Sequence, residues 1–174
     1  MNLKEPKLLK NFFKSYQDKR GLLNPIIFEK LFEIEDLSDF ILKFQLMSFT
    51  ENANTFRGFH YQRAPFQQAK ILIVHKGQIL DIVFPAANLT KQNIKSFDLN
   101  CGDVLLIPEN YAHGFYTKSA NTILQYLLNE DFSFENYTGF NGSRYIQKIT
   151  GRNEVIISEQ DIELPLNDKL EGLI

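Results

Sequence analysis

The chain is dominated by a series of short apolar runs, each of strand length, set close together and separated by turn-forming residues. Ala69 to His75 (AKILIVH) and Gln78 to Phe84 (QILDIVF) are β-branched and apolar, with Lys76-Gly77 between them. A two-residue gap is the length of a tight hairpin loop, so these runs are predicted to pair antiparallel. Val104 to Ile107 (VLLI) follows the turn signal Asn100-Cys101-Gly102-Asp103 and stops at Pro108. Ala112 to Thr117 and Thr122 to Leu128 are two more runs, split by Ser119-Ala120-Asn121. Phe40, Leu42, Phe44 and Leu46 alternate with Ile41, Lys43 and Gln45, the two-residue period of a strand with one buried face. Runs of this length and spacing belong to a sandwich or barrel, not to alternating helix and strand units, and a jelly-roll barrel fits best. The segment from Pro25 to Glu35 and the tail from Ser158 onward each read equally as a short helix or as chain lying extended across the barrel.

With 174 residues the chain can bury one proper core, so a single domain is expected. Sixteen Phe and seven Tyr supply an aromatic load suited to packed sheets. The formal charge is −2 and no basic block stands out, which argues against nucleic acid as a partner. Cys101 is the sole cysteine, so neither an intramolecular disulfide nor a thiolate metal cluster is available, and a reducing, cytoplasmic setting fits. The opening MNLKEPKLLKNFFKSYQ interleaves Lys with apolar residues, which reads as neither signal peptide nor membrane anchor; no membrane association is expected.

Three histidines, His60, His75 and His113, are the side chains that titrate near neutral pH without help. In Phe56-Arg57-Gly58-Phe59-His60-Tyr61-Gln62, strand alternation puts Gly58 and Gln62 on the face of His60, small and polar company for a packed core. That face either lines a cavity or holds a hydrogen-bonded core histidine, and composition alone does not choose. Lys70 shares its strand face with Leu72 and Val74, so its ammonium either enters a cavity or snorkels at the mouth of the barrel. Asp81, on the face of Ile79 and Val83, reads as an orienting carboxylate inside the cavity, since an unpaired charge there is costly. Arg57 offers a two-pronged fork of the kind that holds a phosphate or a carboxylate. His113 is equally a residue of the same cavity and a hydrogen-bonded turn residue. His75, beside the Lys76-Gly77 turn, reads as a surface residue.

The motif RGFHYQ resembles the RGLHYQ signature of the 3,5-epimerases of nucleotide-linked 4-keto sugars, the dTDP-4-dehydrorhamnose 3,5-epimerase family of the cupin superfamily. The resemblance continues in order along the chain. Asp18-Lys19-Arg20-Gly21 is similar to the family's D-x-R-G, Gln68-Ala69-Lys70 to its Q-G-K, and Val74 to Ile82 to its hairpin V-x-G-x-V-x-D-V. Ile107-Pro108-Glu109-Asn110-Tyr111-Ala112-His113-Gly114-Phe115 resembles I-P-P-G-F-A-H-G-F, and Ser158-Glu159-Gln160-Asp161 resembles S-x-K-D. Counting on from His113 without a gap puts Tyr126 where the family has its catalytic tyrosine.

The resemblance implies an all-β cupin jelly roll (a double-stranded β-helix) over residues 1–174, with short peripheral helices, an N-terminal arm over 1–25 and a C-terminal segment, 158–174, that closes on the barrel. It implies His60 as the base, Asp161 as its carboxylate partner, Tyr126 as the acid from the opposite face and Lys70 as the cation that holds the enolate oxygen. Arg57, Arg20, Gln62, His113, Asp81 and Phe132 are the substrate-binding candidates. Of these, Arg20 would reach the site of a second subunit and Phe132 would flank the nucleotide base. No metal and no cofactor are expected. The implied partners are a nucleotide-diphospho sugar and a second copy in a homodimer, and the implied setting is the making of cell-surface sugars for capsule or lipopolysaccharide.

Two stretches depart from the family pattern. Gln45-Leu46-Met47-Ser48-Phe49-Thr50-Glu51 stands in place of Q-x-N-x-S-x-S, and Tyr137 to Arg144 (YTGFNGSR) in place of R-G-I-R-W-D-D-P. The substrate is therefore open between a dTDP-4-keto-6-deoxyhexose and a GDP-4-keto heptose, and inversion between C3, C5 and both. Two rivals stand beside the epimerase. A metal-dependent cupin isomerase or dioxygenase needs a His-x-His pair with further ligands, but His60 is followed by Tyr61-Gln62. A non-catalytic sugar-binding cupin would keep the pocket without the proton-transfer set of His60, Tyr126 and Asp161.

Overall fold

The computed structural model describes residues 3–172, which form two five-stranded antiparallel sheets facing each other. In chain order the strands are β1 (Lys7–Leu9), β2 (Tyr16–Asp18), β3 (Gly21–Leu23), β4 (Phe44–Thr50), β5 (Phe56–Gln62) and β6 (Lys70–Lys76). They continue as β7 (Gln78–Pro85), β8 (Lys95–Asn100), β9 (Val104–Ile107), β10 (Tyr111–Thr117), β11 (Thr122–Leu128) and β12 (Tyr137–Gly139). The α-helices are α1 (Phe28–Phe32), α2 (Ser143–Thr150), α3 (Glu159–Ile162) and α4 (Asp168–Glu171), and Glu35–Leu37 form a turn of 3-10 helix. The first sheet runs β1-β9-β6-β11-β4 and the second β12-β5-β10-β7-β8, while β2 and β3 form a separate hairpin.

β6 and β7 do not pair, contrary to the hairpin predicted for them. β6 lies between β9 and β11 in one sheet, and β7 between β10 and β8 in the other. The reason lies in what each strand buries. Leu72 and Val74 of β6 meet Ile79 and Val83 of β7 in one cluster between the sheets. Ile71 and Ile73 face a second cluster behind the first sheet, which Leu31 and Leu37 cover from the α1 region. Ile82 and Phe84 face a third behind the second sheet, with Tyr145 and Ile146 of α2 and Leu170 of α4. Two strands apolar on both faces are better buried across a barrel from each other, each backed by its own cover, than side by side. Gly77, at φ +92°, turns the chain from sheet to sheet, and a Cβ there would lie 2.4 Å from Thr122 Oγ1.

The strand expected from Phe40 begins only at Phe44, opposite Leu128, where β11 ends. Phe40 is anchored in the cluster behind the first sheet, while Ile41 is 71% exposed. The alternation of residues 40–42 therefore belongs to a connection, and the chain meets β11 only where the Lys43 amide donates to the Leu128 carbonyl at 3.0 Å. The two segments left open hold short helices, α1 in one and α3 and α4 in the other. Part of the expected N-terminal arm joins the barrel: β1 pairs with β9, Leu8 opposite Leu105.

Candidate active site

His60 reaches the inside of the barrel because β5 carries an extra residue. The pairs His113 with His60 and Phe115 with Arg57 span two steps on β10 and three on β5. This bulge sits at Gly58, whose φ is +133° and whose missing Cβ would stand 2.4 Å from Gly114 Cα. Phe56 and Phe59 can then both turn outward into the aromatic cluster behind the sheet, while Arg57 and His60 both turn inward. Simple alternation had put Gly58 and Gln62 beside His60; across the bulge its neighbour on the inner face is Arg57.

Asp161 is delivered from α3, whose N-cap Ser158 accepts a hydrogen bond from the Asp161 amide through Oγ at 3.1 Å. Its carboxylate takes two partners. Oδ1 lies 2.7 Å from His60 Nε2, and Oδ2 accepts the Gly58 amide at 3.1 Å. Burial pushes the Asp161 carboxyl up, but the His60 hydrogen bond and charge, the Gly58 amide and the Arg57 charge outweigh it and leave it below its ordinary value. An ionised Asp161 accepts the Nε2 proton, so Nδ1 carries the imidazole's lone pair.

The opposite sheet supplies a phenol and an ammonium. Tyr126 of β11 and Lys70 of β6 line the same cavity as His60 and Asp161, a space of about 720 Å³. Burial holds the Tyr126 phenol well above its ordinary range, the charge of Asp81 adds to this, and the charge of Arg57 opposes it, so the hydroxyl remains a donor. Burial brings the Lys70 ammonium down to about 8, against the charge of Asp81. Lys70 Nζ donates to the His60 carbonyl at 3.3 Å. His113 Nδ1 lies 3.3 Å from Asp81 Oδ2. Burial keeps His113 neutral, reinforced by the charges of Lys70 and His60, and burial raises the Asp81 carboxyl well above its usual range, against the Lys70 charge. Among the described residues no group of three or more His, Cys, Asp and Glu side chains is disposed to hold a metal ion.

The sequence profile of the dTDP-4-dehydrorhamnose 3,5-epimerase family matches residues 3–168. The chain belongs to that family. It is 26% identical over 151 residues to a dTDP-4-dehydrorhamnose 3,5-epimerase of Sinorhizobium fredii, covering 80% of this chain and 72% of that one. The crystal structure of the Bacillus anthracis dTDP-4-dehydrorhamnose 3,5-epimerase, with TDP and PPi bound, superposes with a TM-score of 0.77 at 26% identity, over 96% of this chain and 97% of that one. A 3′-monoepimerase from Streptomyces bikiniensis, in complex with dTDP-quinovose, shares the fold at a TM-score of 0.74 and 16% identity, over 100% and 90% of the two chains. The fold is thus the cupin jelly roll, and the chain is an isomerase of the epimerase type.

Within this epimerase the candidate residues divide. His60, Asp161, Tyr126, Lys70, Arg57, His113 and Phe132 all line the cavity. Asp81 lies behind His113. Gln62 does not line it: Nε2 donates to the carbonyls of Phe66 and Asp131, and Oε1 accepts the Ser133 amide, so this amide ties two loops together. Arg20 stands on the β2–β3 hairpin, paired with Asp18 and away from this chain's own cavity. His75 is half-buried, its Nε2 2.9 Å from Gln125 Oε1, not the plain surface residue expected. The cavity also has a lining residue that sequence reasoning passed over: Tyr137 of β12, whose ring centroid lies 5.2 Å from that of His60. Its only signal was that it opens the stretch departing from the family pattern. Among the described residues no helix is long and apolar enough to cross a membrane.

Proposed function

We propose that the enzyme inverts C3, C5 or both in a nucleotide-diphospho 4-keto sugar, by removing a proton beside the ketone and returning one to the other face. The observation that carries this reading is the His60–Asp161 pair on one sheet and Tyr126 with Lys70 on the other, around one cavity. His60 Nδ1 takes the proton, the C–H electron pair becomes the enolate double bond, and the carbonyl pair moves onto oxygen. Asp161 stabilises the imidazolium so formed. The Lys70 ammonium faces the enolate oxygen, and the Tyr126 hydroxyl gives its proton to the carbon from the opposite side. His113, backed by Asp81, supports the sugar between them. Arg57 clamps the diphosphate and Phe132 flanks the nucleobase.

The same proposal takes residues 1–174 as one domain that works as a cytoplasmic homodimer in cell-surface polysaccharide synthesis. Exposed apolar side chains on the edge strand β4 and the β2–β3 hairpin, Phe49 at 63% and Leu23 at 68%, favour pairing with a second copy, to whose site Arg20 would be carried. A thymidine-linked 4-keto-6-deoxyhexose is the first substrate to test. A guanosine-linked 4-keto heptose is the second, because Met47, standing where the family pattern has asparagine, lines the cavity. Incubation with each in deuterated water, followed by NMR, should show deuterium entering at C3, C5 or both with inversion. No label at either carbon with either sugar would overturn the reading.

A further inference from the structure

Tyr126 and Lys70 reach the cavity from the first sheet, so the donors facing the base's own sheet have to come from elsewhere. Besides Arg57 and the His113 ring, the second sheet offers Tyr137 of β12, which pairs opposite Gln62, two residues from the Gly139 that pairs with His60. The Tyr137 ring is tilted 37° to the imidazole with centroids 5.2 Å apart, and the Phe132 ring lies 5.4 Å from it. Phe132 is 50% exposed, so these three rings step inward from the mouth to the base. The Tyr137 hydroxyl makes no hydrogen bond to any described residue. Burial, and then the charge of Asp161, hold its phenol above the ordinary range, so it stays a donor.

We propose that Tyr137 is a second substrate-contacting phenol of this site: its ring positions the His60 imidazole against Asp161, and its hydroxyl donates to a sugar oxygen on the base's side. The inference rests on the epimerase reading and adds to it the group that fixes the sugar's near face. A sugar hydroxyl, not the diphosphate, is the acceptor. Arg57 already offers a cation for phosphate, and Tyr137 stands between the ring placed for the nucleobase and the group placed at the reacting carbon.

Tyr137→Phe keeps the ring and removes the donor. It should leave kcat within about twofold and raise KM by about three- to tenfold, the worth of one neutral hydrogen bond. Titration calorimetry should show the same loss for dTDP-glucose, which has no ketone, and none for dTDP; GDP-mannose and GDP replace them if the enzyme takes guanosine-linked sugars. Tyr137→Leu removes the ring as well and should also lower kcat about tenfold or more. An unchanged KM and affinity in Tyr137→Phe, or an equal loss for the free nucleoside diphosphate, would overturn the inference. Because the calorimetry needs no turnover, a wild-type enzyme that moves no deuterium would sink the epimerase reading while this contact is still measured on its own.

Discussion

The imidazole of His60 and the carboxylate of Asp161, 101 positions apart in the chain, meet at 2.7 Å. The contact is built from two local devices. One is the bulge at Gly58, which turns His60 inward and aims the Gly58 amide at the second carboxylate oxygen. The other is the Ser158 cap, which starts the single turn of helix bearing Asp161. A group argued to take protons is thereby held in one tautomer and one orientation.

Asp161→Asn keeps the shape of that contact and removes its charge. The imidazolium loses its counter-ion and the tautomer of His60 is no longer fixed, so deuterium incorporation into the keto sugar should slow by about 10²-fold or more. The thermal midpoint should move by only a few degrees, which separates the chemical loss from unfolding.

Gly58→Ala strikes the same contact through the backbone. The added methyl would lie 2.4 Å from Gly114 Cα at a φ of +133°, so β5 or β10 must shift. A loss of about 2 kcal/mol or more in unfolding free energy is expected, together with loss of exchange activity. Denaturant titration and the deuterium assay check the two parts.

Lys70 should set an alkaline limit. Its ammonium is brought down to about 8 by burial, so the cation that faces the enolate oxygen is lost as pH rises through that value. The exchange rate should fall with it, and Lys70→Met should be slow at every pH and lack that limb. A pH–rate profile of both proteins is the measurement.

The same shift makes a stability prediction. Below pH 8 the folded and unfolded states both carry the proton, and the cost of burying the charge is present in full. Between about 8 and the ordinary 10.5 the folded state gives up its proton first, so the unfolded state binds more protons and stability rises with pH. Lys70→Met should therefore raise the unfolding free energy at pH 7, by about 3 kcal/mol at most, seen as a higher thermal midpoint, and the gain should shrink by pH 10.

Much of this fold was legible in the sequence because its strands are short and its turns are marked. Val104 to Ile107 and Thr122 to Leu128 form strands with the bounds read from their apolar runs. The β6–β7 relationship was not legible, because a run apolar on both faces does not say whether its neighbour in sequence lies beside it or across the core. The company of His60 was misread for a local reason: the one-residue bulge at Gly58 swaps the faces across it, so Arg57 and not Gly58 joins His60, while Gln62, on the same side of the bulge as His60, is drawn off by the Phe66 and Asp131 carbonyls. The alignment of motifs brought Asp161 into view, since nothing in an acidic residue near a chain's end points to a histidine on a distant strand. Tyr137 lay hidden because its role depends on β12 pairing with β5, a three-residue strand too short to leave a pattern.

The proposed mechanism has two proton-handling groups working from opposite sheets, His60 from one and Tyr126 from the other. It is tested most directly by following label and configuration together, by NMR in deuterated water, for His60→Asn and Tyr126→Phe with the sugar that the wild-type enzyme accepts. His60→Asn should neither exchange nor invert at any carbon, and Tyr126→Phe should still exchange while inversion falls much further. Two variants that both invert at the wild-type rate would contradict the account.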